Sequence, residues 1–171
     1  MISFPTDLTQ ITESTTFRAG GTDIQARING GIFPTQNLIS LRDLKELNGV
    51  TKREDDNVVQ IGSMTPIHDA ANALHGLGYQ CLVEAFHGLA TPGIRRVATV
   101  GGNLFQASRC PYYRRGISCL YTDGQDCPAT AATTAHFSGL ETTGCLAVHP
   151  STCAMALLAY QATVVWHNGI E

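Results

Sequence analysis

Six cysteines and two glycine pairs are the residues of this 171-residue chain whose types and spacing carry chemistry. Cys110, Cys119, Cys127 and Cys145 run as C-x8-C-x7-C-x17-C. Four such thiols can hold a structural zinc or an iron–sulfur cluster, stay unliganded, or pair as disulfides. The paired C-x2-4-C knuckles of zinc ribbons are absent, and wide spacing suits a cluster whose cysteines bind separate irons. Cys81 and Cys153 fall in predicted helices and read as small core residues. The six histidines are scattered. His149, just before Pro150-Ser151, is the one placed near a site. No His-Glu-x-x-His, Ser–His–Asp or Cys–His pattern occurs, and no G-x-x-x-x-G-K-[ST] loop.

Ala19-Gly20-Gly21-Thr22-Asp23 sits where a strand ends and a helix begins. Glycines there let backbone N–H groups approach a ligand, and a helix start favours an anion. Thr22 and Asp23 are placed to cap the helix or to bind hydroxyls. Thr99-Val100-Gly101-Gly102-Asn103 repeats the arrangement about eighty residues later. Two such loops would clamp a diphosphate from two sides; read blandly, each is a tight turn with a capped helix. Between Glu84 and Asp123 stand Arg95, Arg96, Arg109, Arg114 and Arg115 without one acidic residue. That local field suits phosphates or an anionic cluster, and equally a solvated basic face or an acidic partner.

The elements that position these residues follow from periodicity and punctuation. A strand enters Arg18, and a short helix from Ile24 stops at Gly30-Gly31. Residues 37–41 form a strand, Leu44 and Leu47 one helical turn, and 50–53 with 58–61 a hairpin. Pro66 opens a helix to Leu77 with Ile67, Ala70, Ala71 and Leu74 inward. A second helix covers 80–89 with Leu82, Val83 and Phe86 inward. A strand begins at Ala98 and feeds the second glycine pair. Residues 109–145 have little periodicity, and a loop of that length is held by something. Strands at 145–149 and 162–166 flank a helix from Pro150-Ser151 to Tyr160. The order is α+β.

Composition excludes several classes. With 43% hydrophobic and 15% charged residues the chain buries a real core and is not disordered. A net charge of −3 argues against a general nucleic-acid binder. No apolar run reaches the ~18 residues of a membrane span. MISFPTDLTQ has neither the basic nor the apolar region of a signal peptide, so the expected compartment is the cytoplasm, or the periplasm through export with a partner.

Four segments, in order, resemble one family: Ala19-Gly20-Gly21-Thr22-Asp23-Ile24, Ile61-Gly62-Ser63-Met64-Thr65, Thr91-Pro92-Gly93-Ile94-Arg95 and Ala98-Thr99-Val100-Gly101-Gly102-Asn103-Leu104. The family is the FAD-binding medium subunit of molybdenum hydroxylases, of the xanthine dehydrogenase, aldehyde oxidoreductase and carbon monoxide dehydrogenase type. Arg109-Cys110-Pro111-Tyr112-Tyr113-Arg114, Cys119, Cys127-Pro128-Ala129 and Cys145-Leu146-Ala147-Val148-His149-Pro150-Ser151 look like the branch with an extra 4Fe-4S cluster. The similarity spans about residues 17–166.

The resemblance implies a two-lobed α+β fold of the molybdopterin dehydrogenase and vanillyl-alcohol oxidase type, lacking the family's C-terminal domain. A small FAD-binding lobe would take residues 1–55 and a larger one 56–171, with the cluster insert at 109–145. It further implies that Ala19, Gly20, Gly21, Thr22, Asp23, Thr99, Gly101, Gly102 and Asn103 hold the FAD diphosphate and ribityl, and that Thr91 and Ser151 line the flavin region. Cys110, Cys119, Cys127 and Cys145 would bind the 4Fe-4S cluster, and no residue acts as general acid or base. Partners would be a ferredoxin-like 2Fe-2S subunit and a subunit with the molybdenum cofactor, a separate chain being one source of the absent domain. The sequence departs from the family in the short stretch before the first loop and in Pro150-Ser151-Thr152, where the family has Pro-Ser-Asp. The competing expectations are a cluster-only relay or scaffold without FAD, a zinc-stabilised module, and a free-standing FAD oxidase of the vanillyl-alcohol type.

Overall fold

The computed structural model describes residues 2–11, 16–33, 37–55, 57–130 and 144–166. Strands β1 (Ile2–Ser3), β2 (Thr16–Arg18) and β3 (Leu38–Ser40) form a parallel sheet in the order β1-β3-β2. Helix α1 (Ile24–Asn29) is the crossover from β2 to β3, the connection that parallel neighbours require. Val50–Lys52 (β4) and Val59–Ile61 (β5) pair antiparallel, so this hairpin straddles position 55.

The core is helical. α2 (Ile67–Gly76) turns Ile67, Ala70, Ala71 and Leu74 inward, each at most 1% exposed. That i, i+3, i+4, i+7 stripe packs on α3 (Gln80–His87), which supplies Leu82, Val83 and Phe86. Short helices α4 (Pro92–Arg95), α5 (Val100–Leu104) and α6 (Pro111–Arg114) follow, and then α7 (Thr152–Ala159), whose Cys153 joins the core cluster.

Several expectations are corrected. Cys81 on α3 is exposed, with Tyr160 at its thiol. Leu44 and Leu47 lie at two successive 3-10 turns, Leu41–Asp43 and Lys45–Leu47. The strand expected from Ala98 shrinks to one bridge, Thr99 opposite Pro66, because Thr99 already caps α5. Residues 145–149 and 162–166 form no strand among the described residues. β-branched residues make a strand only where an edge is there to pair with. The cysteine-rich stretch has elements of its own, α6 and the 3-10 turn Leu120–Thr122. Residues 131–143, including His136, and residues 167–171 lie outside the described residues.

Candidate functional site

The two glycine loops meet. A Cβ on Gly20 would stand 1.9 Å from the Val97 carbonyl oxygen, and a Cβ on Gly102 would stand 3.2 Å from the Ala19 Cβ. Backbone therefore lies on backbone where Ala19-Gly20 crosses the entry to α5. A Cβ on Gly101 would meet Ser63 at 2.8 Å, so this glycine is required by the 61–65 segment beneath it. Both glycine pairs thus serve packing between chain segments before they serve a ligand.

The loops differ in what they offer. Gly101 donates its N–H to the Ser63 carbonyl at 2.8 Å, and Gly102 donates to Thr99 Oγ1 at 3.1 Å. These donors are spent, which corrects the expectation that both loops present N–H groups. Among the described residues, the N–H groups of Gly21 and Thr22 reach no protein acceptor. Gly21 has φ +77°, a left-handed turn that glycine adopts without strain, and the Arg18 guanidinium lies over it. Arg18 has no carboxylate partner among the described residues. Free N–H donors beneath an unpaired guanidinium make a cradle for an anion.

Other predicted residues are held inside the protein. Thr99 and Ser151 are buried, and their hydroxyls accept from Gly102 and Ala154. Ser151 also donates to Asn103 Oδ1 at 2.7 Å, and the Cys153 N–H donates to the same oxygen at 3.2 Å. That fixes the Asn103 amide with its oxygen toward α7 and its Nδ2 donors turned away. His149 bridges the same junction, Nε2 on the Leu104 carbonyl and Nδ1 accepting from Ser151. Thr91 caps α4 through Ile94 and makes no bond to either loop. Asp23 does not cap α1. Its carboxylate takes Arg114 at 2.7 Å, Arg109 at 3.5 Å and the Ala107 N–H at 3.0 Å.

Cys110, Cys119, Cys127 and Cys145 all line one small cavity, with Tyr112, Tyr113 and Tyr121. The free space left between the side chains is small, about 10 Å³. Cys110 precedes α6 without a side-chain cap bond, Cys119 precedes the 3-10 turn at Leu120 and donates its N–H to Thr122 Oγ1, and Cys127 begins the turn closed by Thr130. Tyr113 is buried and packs edge-on against Tyr121 at 4.7 Å. Among the described residues no three Cys, His, Asp or Glu side chains converge as ligands of a single ion. A tetrahedral zinc demands thiolates about 3.8 Å apart around one point. Among the described residues the four thiols line a shared space without three of them converging on one point. Cys153, fully buried, is separate; burial pushes its thiol pKa up to about 12.

Sequence reasoning missed Arg18, Ser63, Val97 and Tyr121. Arg18 stands one residue before the first glycine segment, and an unpaired cation so close to a Gly-Gly turn is the signal that was there to use.

Comparison with known proteins gives the family. Residues 5–171 match the family model of the FAD binding domain in molybdopterin dehydrogenase. The chain is 34% identical over 90 residues to the xanthine dehydrogenase FAD-binding subunit of Escherichia coli O157:H7, covering 50% of this chain and 30% of that one. It is 27% identical over 113 residues to the indole-3-acetaldehyde oxidase of Zea mays, covering 62% of this chain and 8% of the oxidase. The matched stretch is thus under a third of each relative's length. In fold it resembles carbon monoxide dehydrogenase from Hydrogenophaga pseudoflava, with a TM-score of 0.51 at 24% identity over 60% of this chain and 38% of the other. Free backbone donors at the first glycine loop, the packed second loop and a family match over nearly the whole chain lead to one conclusion: the protein belongs to the family of FAD-binding domains in molybdopterin dehydrogenase.

Proposed function

We propose that this chain is a flavin- and iron–sulfur-carrying electron-transfer subunit of a molybdenum hydroxylase complex, an oxidoreductase. The observation that carries the reading is the anion cradle of Gly21, Thr22 and Arg18, which fits an FAD diphosphate. Gly21 and Thr22 would donate to phosphate oxygens, Arg18 would offset their charge, and Asn103 would offer its Nδ2 donors. Bound there, FAD supplies the exchange between two-electron and one-electron traffic. The chain's own residues hold and orient; none is asked to move a proton.

The cavity shared by Cys110, Cys119, Cys127 and Cys145 supports a 4Fe-4S cluster on this chain, screened from water by Tyr112, Tyr113 and Tyr121. Electrons would reach it from a ferredoxin-like 2Fe-2S subunit, and substrate would be oxidised at a molybdenum cofactor on a third subunit. Exposed Phe105, Met155, Leu158 and Val165 give such partners apolar surface to cover. The spent N–H donors of Gly101 and Gly102 favour one second reading, a relay that carries the cluster without FAD.

Cofactor content of the purified protein separates the two. Bound flavin with about four iron and four sulfide per chain supports the main reading. Iron and sulfide without flavin supports the relay. One zinc per chain and no iron refutes both.

A further inference from the structure

The polar tie between the first glycine loop and the cysteine segment runs through the Asp23 carboxylate, with Arg114 as its shorter ion pair. Arg114 donates through one nitrogen to Asp23 Oδ1 at 2.7 Å and to the Ala107 carbonyl at 2.9 Å, and its Nε donates to the Ser108 carbonyl at 2.7 Å. Asp23 Oδ2 accepts from the Ala107 N–H at 3.0 Å. The side chains of Asp23 and Arg114 are 13% and 19% exposed. A pair this sheltered is little screened and has a fixed geometry. At one end Asp23 follows Gly21 and Thr22, whose N–H groups form the cradle. At the other end Arg114 closes α6, which Cys110 begins. Arg109, beside Cys110, reaches the same carboxylate at 3.5 Å.

We propose that the Asp23–Arg114 pair couples the two sites, so that filling the cysteine cavity tightens the glycine cradle and filling the cradle steadies the cavity. The argument is geometric. A cluster bound by Cys110 and Cys119 fixes α6 and the turn after it, and with them Arg114. A fixed Arg114 holds Asp23, and Asp23 sets the backbone at Gly21-Thr22. Coupling of this kind is reciprocal: each occupant raises affinity for the other by the same factor. The proposal rests on the flavin and cluster readings above. In it Asp23 and Arg114 are positioning residues, neither assigned a contact with the cofactors.

The test compares FAD affinity, by quenching of flavin fluorescence, in the purified full chain with its iron–sulfur cluster intact and after chelation of the iron. In the wild type the dissociation constant rises about fivefold or more when the cluster is removed. Asp23→Asn keeps the side-chain shape and an acceptor for Ala107 but removes the charge, and it brings the ratio of the two constants near one. Arg114→Gln does the same from the other side, whereas Arg114→Lys, a charge without the planar fork, keeps part of the effect. Loss of a direct flavin ligand would weaken both states alike and leave the ratio intact. A second readout needs no variant: saturating FAD slows iron loss to chelator in the wild type. A ratio near one in the wild type, with flavin and iron both bound, overturns the coupling and leaves the flavin and cluster readings standing. A wild-type ratio preserved in Asp23→Asn overturns the role of the pair. A chain that binds no flavin, or carries no iron and sulfide, removes the readings beneath the proposal and the proposal with them.

Discussion

Gly20→Ala tests whether the first glycine pair exists for a ligand or for the fold. The added Cβ would lie 1.9 Å from the Val97 carbonyl oxygen, 2.8 Å from its carbon and 3.2 Å from the Ala98 Cα. Ordinary contact begins near 3.4 Å, so the two segments must part by about 1.5 Å. Every atom met belongs to backbone, and no rotamer change relieves it. Overpacking of this kind costs about 1–3 kcal/mol, and here the upper end applies because the obstacle cannot swing aside. For a chain of this length that lowers the melting temperature by roughly 6–12 °C. The same displacement shifts Gly21 and Thr22, which follow Gly20 directly, and flavin affinity falls at least about tenfold, or ~1.4 kcal/mol. Gly76→Ala is the control: nothing lies within 4 Å of its Cβ, and at the end of α2 the substitution stabilises by about 0.5–1 kcal/mol. Thermal melting and flavin content are measured on both. A Gly20→Ala protein that melts within about 2 °C of wild type refutes the packing argument, whatever its flavin content. One that loses stability but keeps all its flavin refutes the link from this contact to the cradle.

Three further outcomes are expected. Arg18→Gln weakens FAD binding about tenfold and reduces its salt dependence, with little change in melting temperature; an unchanged affinity in titrations at low and high salt removes Arg18 from the site. Cys119→Ser removes or converts the cluster and exposes residues 109–130 to protease; iron and sulfide equal to wild type refute the four-cysteine assignment. Cys153 keeps its proton to about pH 12 in the folded protein, whereas the ordinary thiol value is 9.0. Between these values the unfolded chain has lost the proton and the folded one has not. The stability that Cys153 contributes is therefore complete below about pH 9 and is lost as pH rises toward 12, by about 1.4 kcal/mol per pH unit. Urea unfolding of wild type and Cys153→Ala from pH 8 to 11 reads the difference, and parallel slopes count against it.

What was legible in the sequence was whatever local rules decide. The stripe Ile67, Ala70, Ala71, Leu74 marks α2 because an i, i+3, i+4, i+7 pattern has one physical solution. Gly30 after α1 and Ser151 before α7 mark helix ends because capping chemistry is local. What was not legible depends on partners far along the chain. Ala162-Thr163-Val164-Val165-Trp166 has the composition of a strand, but a strand is a pairing, and the described residues offer it no edge. Cys81 sits one residue before the inward Leu82, so it falls on the α3 face turned to solvent, and residue type alone misplaced it. The site divides in the same way. The four cysteines line one cavity, and the two glycine loops pack on each other through Gly20 and Gly102. Which N–H groups remained free was invisible, since Gly101 loses its donor to Ser63, a residue 38 positions earlier.

Charge accounting changes most between sequence and structure. Five arginines without an acidic neighbour read as a field for an anionic cluster or a phosphate. In the fold Arg114 and Arg109 both turn to Asp23, and Arg95 donates to the carbonyls of Leu89 and Ala90. The acid that neutralises the segment comes from outside it, 91 positions from Arg114. Less positive charge is therefore available to offset thiolates at Cys110 and Cys119 than the sequence count implies. The cluster proposed above would therefore rest more on shielding by the buried Tyr113, and burial disfavours adding negative charge. Its reduction potential would be lower than five unpaired arginines would set. The flavin cradle has the opposite balance. The Asp23 carboxylate, the negative group nearest the diphosphate position, is neutralised by Arg114, and Arg18 stands over Gly21 with no carboxylate of its own. The same ion pair that removes positive charge from the cysteine cavity removes negative charge from the phosphate site.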